Sequence, residues 1–291
     1  MEEKSYQPQE ELKTSSLVFK GFAMSIQGAA HLENDIPLQD ASDCKIETDY
    51  AIAAIADGHG GVKYIRSQIG SKIAVQCALE CLAAFVEEGG ETALKNANSR
   101  NAERIIRQLE GAVIHKWRKN IKQYHDDNPL TEDEKLRLAE LNANVEGEIF
   151  TLYGTTLLYA GIVDGFWHIS QVGDGQVGII DWDGEYISPM EEDDRLLCGV
   201  TTSLCSNEAA NDFRRAYGKN PLRGIVIATD GVSDSYSKET YFEFVRSIVD
   251  KFLAQPKETK IALRNWLPTL SERGSRDDMS IGCICISKEE N

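Results

Sequence analysis

Four aspartates stand where an apolar run stops and a turn begins: Asp57, Asp174, Asp230 and Asp277. The first lies in Ala56-Asp57-Gly58-His59-Gly60-Gly61, directly after the apolar run 50–56. Asp57, Asp174 and Asp230 are each followed by glycine, which lets the backbone approach a ligand closely. An acid at the end of a buried strand is costly unless it is paired or bound to a cation. Several such acids with few basic neighbours in sequence point to hard divalent cations held by oxygen ligands. Taken singly, each Asp-Gly is as easily an ordinary turn. The set carries the argument.

The elements that must position these acids can be read from hydrophobic periodicity. Residues 1–16 are polar and mixed in charge, and are expected to form a flexible arm. The segment 17–27 alternates like a strand, with Phe22, Met24 and Ile26 on one face. Ile65, Ile69, Ile73, Cys77 and Cys81 recur every four residues and continue to Phe85, which predicts a helix. A second helical stripe runs over 101–125 through Ile105, Leu109, Val113, Trp117 and Ile121. Thr131 and Glu134 have capping-box spacing and open a short charged helix after the loop 126–129. Beyond residue 151 the pattern turns strand-like, with runs at 152–163, 166–172, 176–182 and 185–188. The turns Asp164-Gly165 and Asp183-Gly184 separate some of them. The stretch 189–222 is polar and irregular, with one short helix expected near 207–216. A buried strand then runs from 223 to 229, helices cover 239–253 and 258–272, and a strand closes the chain at 279–287. Helices come in pairs between runs of strands. That rhythm predicts an α+β fold of antiparallel sheets with helix pairs outside, as one domain over 17–288.

Composition sets limits on partners. Across 291 residues there are 31 Lys plus Arg and 47 Asp plus Glu, a formal charge of −16. A surface this acidic is repelled by nucleic acid and by anionic membranes, so neither is an expected partner. Seven cysteines include no C-x-x-C pair and no spacing suited to zinc, and read as reduced, mostly buried thiols. The N-terminus lacks the pattern of a signal peptide, and no apolar run approaches a membrane span. The expected location is the cytoplasm.

The acids also carry a resemblance. Ala56-Asp57-Gly58-His59-Gly60-Gly61, Gly154-Thr155-Thr156, Val172-Gly173-Asp174, Ala228-Thr229-Asp230-Gly231-Val232-Ser233-Asp234 and Gly274-Ser275-Arg276-Asp277-Asp278-Met279-Ser280 occur in that order. Together they resemble the PP2C (PPM) family of metal-dependent protein serine/threonine phosphatases, over about residues 20–287. The resemblance implies an αββα sandwich with two Mg²⁺ or Mn²⁺ ions in a cleft at one end. It implies that Asp57 bridges both ions and the Gly58 carbonyl binds one, while Asp230 and Asp277 hold the other. Asp40 would act through bound water. Asp174 and Asp234 resemble the pair that supports a weaker third ion in some members. His59 has three readings: a general acid for the leaving oxygen, a residue that orients Asp57 or a water, or a structural histidine in a glycine turn.

Two departures stand out. Many members carry a phosphate-binding arginine shortly before the first acidic motif, yet no arginine precedes Arg66 here. His31, in Gly28-Ala29-Ala30-His31-Leu32-Glu33, is the candidate phosphate-binding residue in its place. The usual Glu-Asp pair is Gln39-Asp40, so one acceptor has lost its charge. The segment 189–222 matches the family's variable flap, with 201–205 within it. The expected partner is a phosphorylated protein. The competing expectations are a phosphatase of small phosphorylated molecules and a non-catalytic scaffold that binds phosphoprotein.

Overall fold

The computed structural model describes residues 17–140, 149–163, 166–191, 193, 196 and 201–288. The strands are β1 (Leu17–Ile26), β2 (Ala41–Ile46), β3 (Tyr50–Ala56), β4 (Leu157–Val163), β5 (Phe166–Val172), β6 (Gln176–Asp181), β7 (Tyr186–Ile187), β8 (Arg214–Gly218), β9 (Leu222–Ala228) and β10 (Met279–Lys288). One sheet has the order β1-β10-β9-β6-β7 and the other β2-β3-β4-β5-β8, with every described pairing antiparallel. The helices are α1 (Ala29–Glu33), α2 (Ser67–Glu87), α3 (Gly90–Asn96), α4 (Ser99–Asp127), α5 (Glu132–Glu140), α6 (Ala209–Asp212), α7 (Asp230–Ser233), α8 (Lys238–Ala254) and α9 (Pro256–Arg273).

Three cores make four layers. Ala51, Ala53 and Ile55 of β3 meet Ile162, Ile225 and Ile284 between the sheets. The opposite face of β3, with Ile52 and Ala54, packs with Leu82 of α2 and Trp117 of α4. On the far side, Val226, Ile281 and Cys283 pack with Val245 and Phe252 of α8 and Leu267 of α9. Both faces of β3 and β10 are therefore buried, which is why they read as unbroken apolar runs. Each fully buried Ile or Phe here is worth about 1.5–3 kcal/mol. The α+β sandwich expected from the sequence is the fold observed.

Strand direction brings the acids together. Strands β3 and β5 are each antiparallel to β4, so they run the same way and release Asp57 and Asp174 at the same end. Strand β9 releases Asp230, and β10 runs back beside it, so Asp277 precedes β10 at that end too. The predicted capping box is present: Thr131 Oγ1 accepts from Glu134 N at 3.2 Å, and Glu134 Oε2 accepts from Thr131 N at 2.8 Å.

Several details differ from the expectations. Strands β2 and β8 and helix α3 were not expected, and the helix near 207–216 is only the short α6 followed by β8. Helix α2 has 21 residues and is apolar enough to cross a membrane by length and composition, contrary to the expectation that no run approaches a span. Its apolar side chains instead enter the core beneath β3. Strands β4 and β5 pair as the hairpin expected, Val163 opposite Phe166, but the turn 164–165 lies outside the described residues. The arm 1–16 and positions 192, 194–195 and 197–200 of the 189–222 segment also lie outside them.

Candidate active site at one end of the sandwich

The backbone of Asp57 is fixed from both sides by the two threonines of Gly154-Thr155-Thr156. Asp57 N donates to Thr156 Oγ1 at 2.9 Å, while Thr155 Oγ1 and Thr156 N both donate to the Asp57 carbonyl at 2.8 Å. Gly58 then forms a bridge with Thr155. A Cβ at Gly58 would lie 2.6 Å from the Gln39 carbonyl and 2.9 Å from that of Ser67, so only glycine passes there.

Carboxylate oxygens of Asp57, Asp174 and Asp230 lie within 4.8 Å of one another. Burial pushes the Asp57 carboxyl well above its usual range, reinforced by Asp40, Asp230, Asp277 and Asp174. Asp230 is raised to about 6, again by burial first and then by Asp174 and Asp277. Asp234 is exposed and raised by burial of its carboxyl and by Asp174. Asp277 stands at the rim, its side chain 54% exposed. Asp40 is buried, accepts from Thr229 Oγ1 at 2.9 Å, and is raised by burial and by Asp278. Crowded carboxylates whose charges act together on Asp57 suit hard dications, which would relieve both desolvation and repulsion. The structure thus gathers Asp57, Asp174 and Asp230 most tightly, with Asp40 behind them and Asp234 and Asp277 around them. Asp174 joins the inner cluster rather than standing apart with Asp234.

His31 turns toward acids. Its Nδ1 lies 2.9 Å from Asp278 Oδ1, at ion-pair distance but off the line of a hydrogen bond, and its Nε2 lies 3.7 Å from Asp277 Oδ1. The Asp278 contact outweighs burial and raises its pKa. Asp278 itself was not singled out from the sequence. It is buried and accepts the backbone N–H groups of Gly28 and Gln39, each at 2.7 Å. The signal was the second acid of Arg276-Asp277-Asp278, one residue before an apolar strand. Gln39 spends its amide on Ser67 Oγ at 3.0 Å. Arg66 is unavailable to a phosphate: it is buried and gives its donors to Glu134, Tyr153 and the carbonyls of Asn128 and Pro129.

His59 is held by Ser203, within the segment expected to be the family's variable flap. Its Nε2 is 2.8 Å from Ser203 Oγ, and its ring meets Tyr64 edge-on at 4.7 Å. Burial, with help from Lys63, lowers its pKa to about 4. Thr202 Oγ1 accepts from Gly173 N at 2.8 Å, one residue before Asp174.

Solved structures share this architecture. The catalytic domain of the serine/threonine phosphatase PstP, in complex with two manganese ions, is 17% identical with a TM-score of 0.54, covering 94% of this chain and 100% of that one. Stp1 from Staphylococcus aureus is 13% identical, TM-score 0.55, covering 99% and 100%. PppA from Pseudomonas aeruginosa is 14% identical, TM-score 0.57, covering 93% and 98%. No curated protein matches the chain in sequence. Residues 27–268 match the family model described as protein phosphatase 2C. Fold and family together define a protein phosphatase. The chain belongs to the protein phosphatase 2C family.

Proposed function

We propose that this chain hydrolyses phosphoserine and phosphothreonine in proteins, using two Mg²⁺ or Mn²⁺ ions held at the acid cluster. The observation that carries the reading is the approach of Asp57, Asp174 and Asp230 to within 4.8 Å at the meeting of the two sheets. Bound there, the ions supply charge neutralisation for the phosphoryl group and a water acidified toward neutral pH. Asp57, which lies in the field of the other acids, would be a ligand to the ions. The Gly58 carbonyl, Asp230 and Asp277 would complete the two sites, and Asp174 and Asp234 would support a weaker third ion. Asp40, anchored by Thr229, would hold water around the ions. His31, backed by Asp278, would be the contact for the phosphate. The six described cysteines are free thiols, which supports a reducing, cytoplasmic setting.

Hydrolysis of a phosphothreonine peptide and of an aryl phosphate, with Mn²⁺, Mg²⁺ or chelator, tests this. Turnover should need metal and collapse in Asp57→Asn. Full activity in excess chelator would exclude the mechanism. Turnover of small phosphoesters without phosphopeptides would favour the small-molecule reading, and metal-independent phosphopeptide binding without turnover the scaffold.

A further inference from the structure

His59 can carry its single neutral-state proton on either ring nitrogen, and the hydrogen bond at one nitrogen decides the chemistry of the other. Its Nε2 meets Ser203 Oγ at 2.8 Å. Ser203 is buried, and its hydroxyl has one proton to give. The Thr155 carbonyl, which can only accept, lies 3.1 Å from the same Oγ. Unless the hydroxyl proton lies between them, two oxygens would face each other lone pair to lone pair. The backbone N–H of Cys205 also points at Ser203 Oγ, at 3.3 Å, as a donor. Cys205 Sγ, 3.2 Å from the same Oγ, is a second acceptor, and with the proton directed to Thr155 or Cys205 the hydroxyl has only acceptor capacity left for His59.

We propose that Ser203 is a positioning residue that fixes His59 as the Nε2–H tautomer and so leaves the lone pair on Nδ1. The neutral ring then keeps Nδ1 as an acceptor. The segment that carries Ser203 is pinned on both sides of the site. Leu204 N donates to the Thr155 carbonyl at 3.0 Å, and Thr202 Oγ1 holds Gly173 beside Asp174. Seating of 202–204 therefore sets the imidazole and the Asp174 turn together. His59 and Thr155 belong to the motifs flanking Asp57; Ser203 belongs to neither, and its effect on Asp57 chemistry passes through the ring.

The kinetic arm of the test rests on the phosphatase reading, and the spectroscopic arm does not. Nitrogen-15 imidazole correlation spectra of the full metal-free chain should show His59 as the Nε2–H tautomer. The pattern should become mixed or reversed in Ser203→Ala and return in Ser203→Thr. An Nδ1–H tautomer in the wild type, or an unchanged pattern in a folded Ser203→Ala, overturns the proposal. With Mn²⁺ and an aryl phosphate, Ser203→Ala should lose between about 10- and 100-fold in kcat with KM little changed, and Ser203→Thr should recover most of it. If neither chain turns over substrate, the phosphatase reading fails while the tautomer result stands. Should Ser203→Ala not fold, the wild-type and Ser203→Thr spectra decide: both must show the Nε2–H tautomer.

Discussion

Asp278 accepts the backbone N–H of Gln39 through Oδ2 at 2.7 Å, across 239 positions of sequence. Its other oxygen takes Gly28 N. One buried carboxylate thus ties the segments before β2 and α1 to the start of β10, next to Asp277 and Asp40. In Asp278→Asn an amide NH₂ would face a backbone donor. A loss of about 1–3 kcal/mol is expected in urea unfolding. The Mn²⁺ concentration for half-maximal activity should also rise, because Asp277 and Gln39-Asp40 lose their common anchor.

Gly231 is a second close point. A Cβ there would sit 1.9 Å from the Asp278 carbonyl, a backbone atom that cannot swing away. Gly231→Ala must displace either Asp230 or the Asp277-Asp278 pair. Turnover should fall on the order of 100-fold. Wild-type kinetics in this variant would show that the two loops move freely of one another.

The crowded acids give the metal-free protein a distinctive pH response. Asp230 rises to about 6 in the folded state, and Asp57 and Asp40 also rise, against 3.8 unfolded. The folded state then binds more protons than the unfolded state above the unfolded value. Stability should therefore fall as pH climbs from about 4 through about 6 in chelator. Metal replaces those protons, so Mn²⁺ should raise Tm more at pH 7.5 than at pH 5. A metal increment independent of pH would mean that these carboxyls are not the ligands.

Glu134 titrates in the opposite sense. Its bond to Arg66 depresses it to about 2 from 4.5. That contribution is present above pH 4.5 and is lost as pH falls toward 2. Glu134→Gln should flatten the acid limb of the stability curve, read by thermal melts between pH 2 and 5.

Glu110 and Arg215 form a buried pair, Nε to Oε1 at 2.9 Å and Nη2 to Oε2 at 2.8 Å, with Ser170 Oγ also donating to Oε1 at 2.9 Å. Burial still raises Glu110 despite this partner. Arg215→Ala should cost about 3–5 kcal/mol by leaving the carboxylate unpaired, whereas Glu110→Leu with Arg215→Met should cost far less. Denaturant titration distinguishes the two.

That pair also explains what the sequence hid. Strand β8 reads Arg214-Arg215-Ala216-Tyr217-Gly218, a poor strand by composition. It is a strand because Arg215 finds its charge partner on α4 and because Gln171 to Trp167 of β5 supply the ladder. Strand β2 is an edge strand in which only Ala41 is fully buried, so Ala41-Ser42-Asp43-Cys44-Lys45-Ile46 lacks apolar alternation. By contrast, β3, β9 and β10 are buried on both faces, and the acids at their ends stood out at once. The His59–Ser203 contact depends on a loop 144 residues away, and no local pattern announces it. Nor did the sequence say that His31 would turn to Asp277 and Asp278, since that follows from where α1 docks.

Asp57 and Asp174 ride on one sheet, Asp230 and Asp277 on the other. Ions gripping both sets would rivet the sandwich across its dry seam. The gauge of that rivet is set by Ile55 and Ile162 packed with Ile225 and Ile284 between the sheets. Shear between the sheets would be read out as a change in the spacing of the ligands. The apolar seam thus serves as the calliper of the acid cluster.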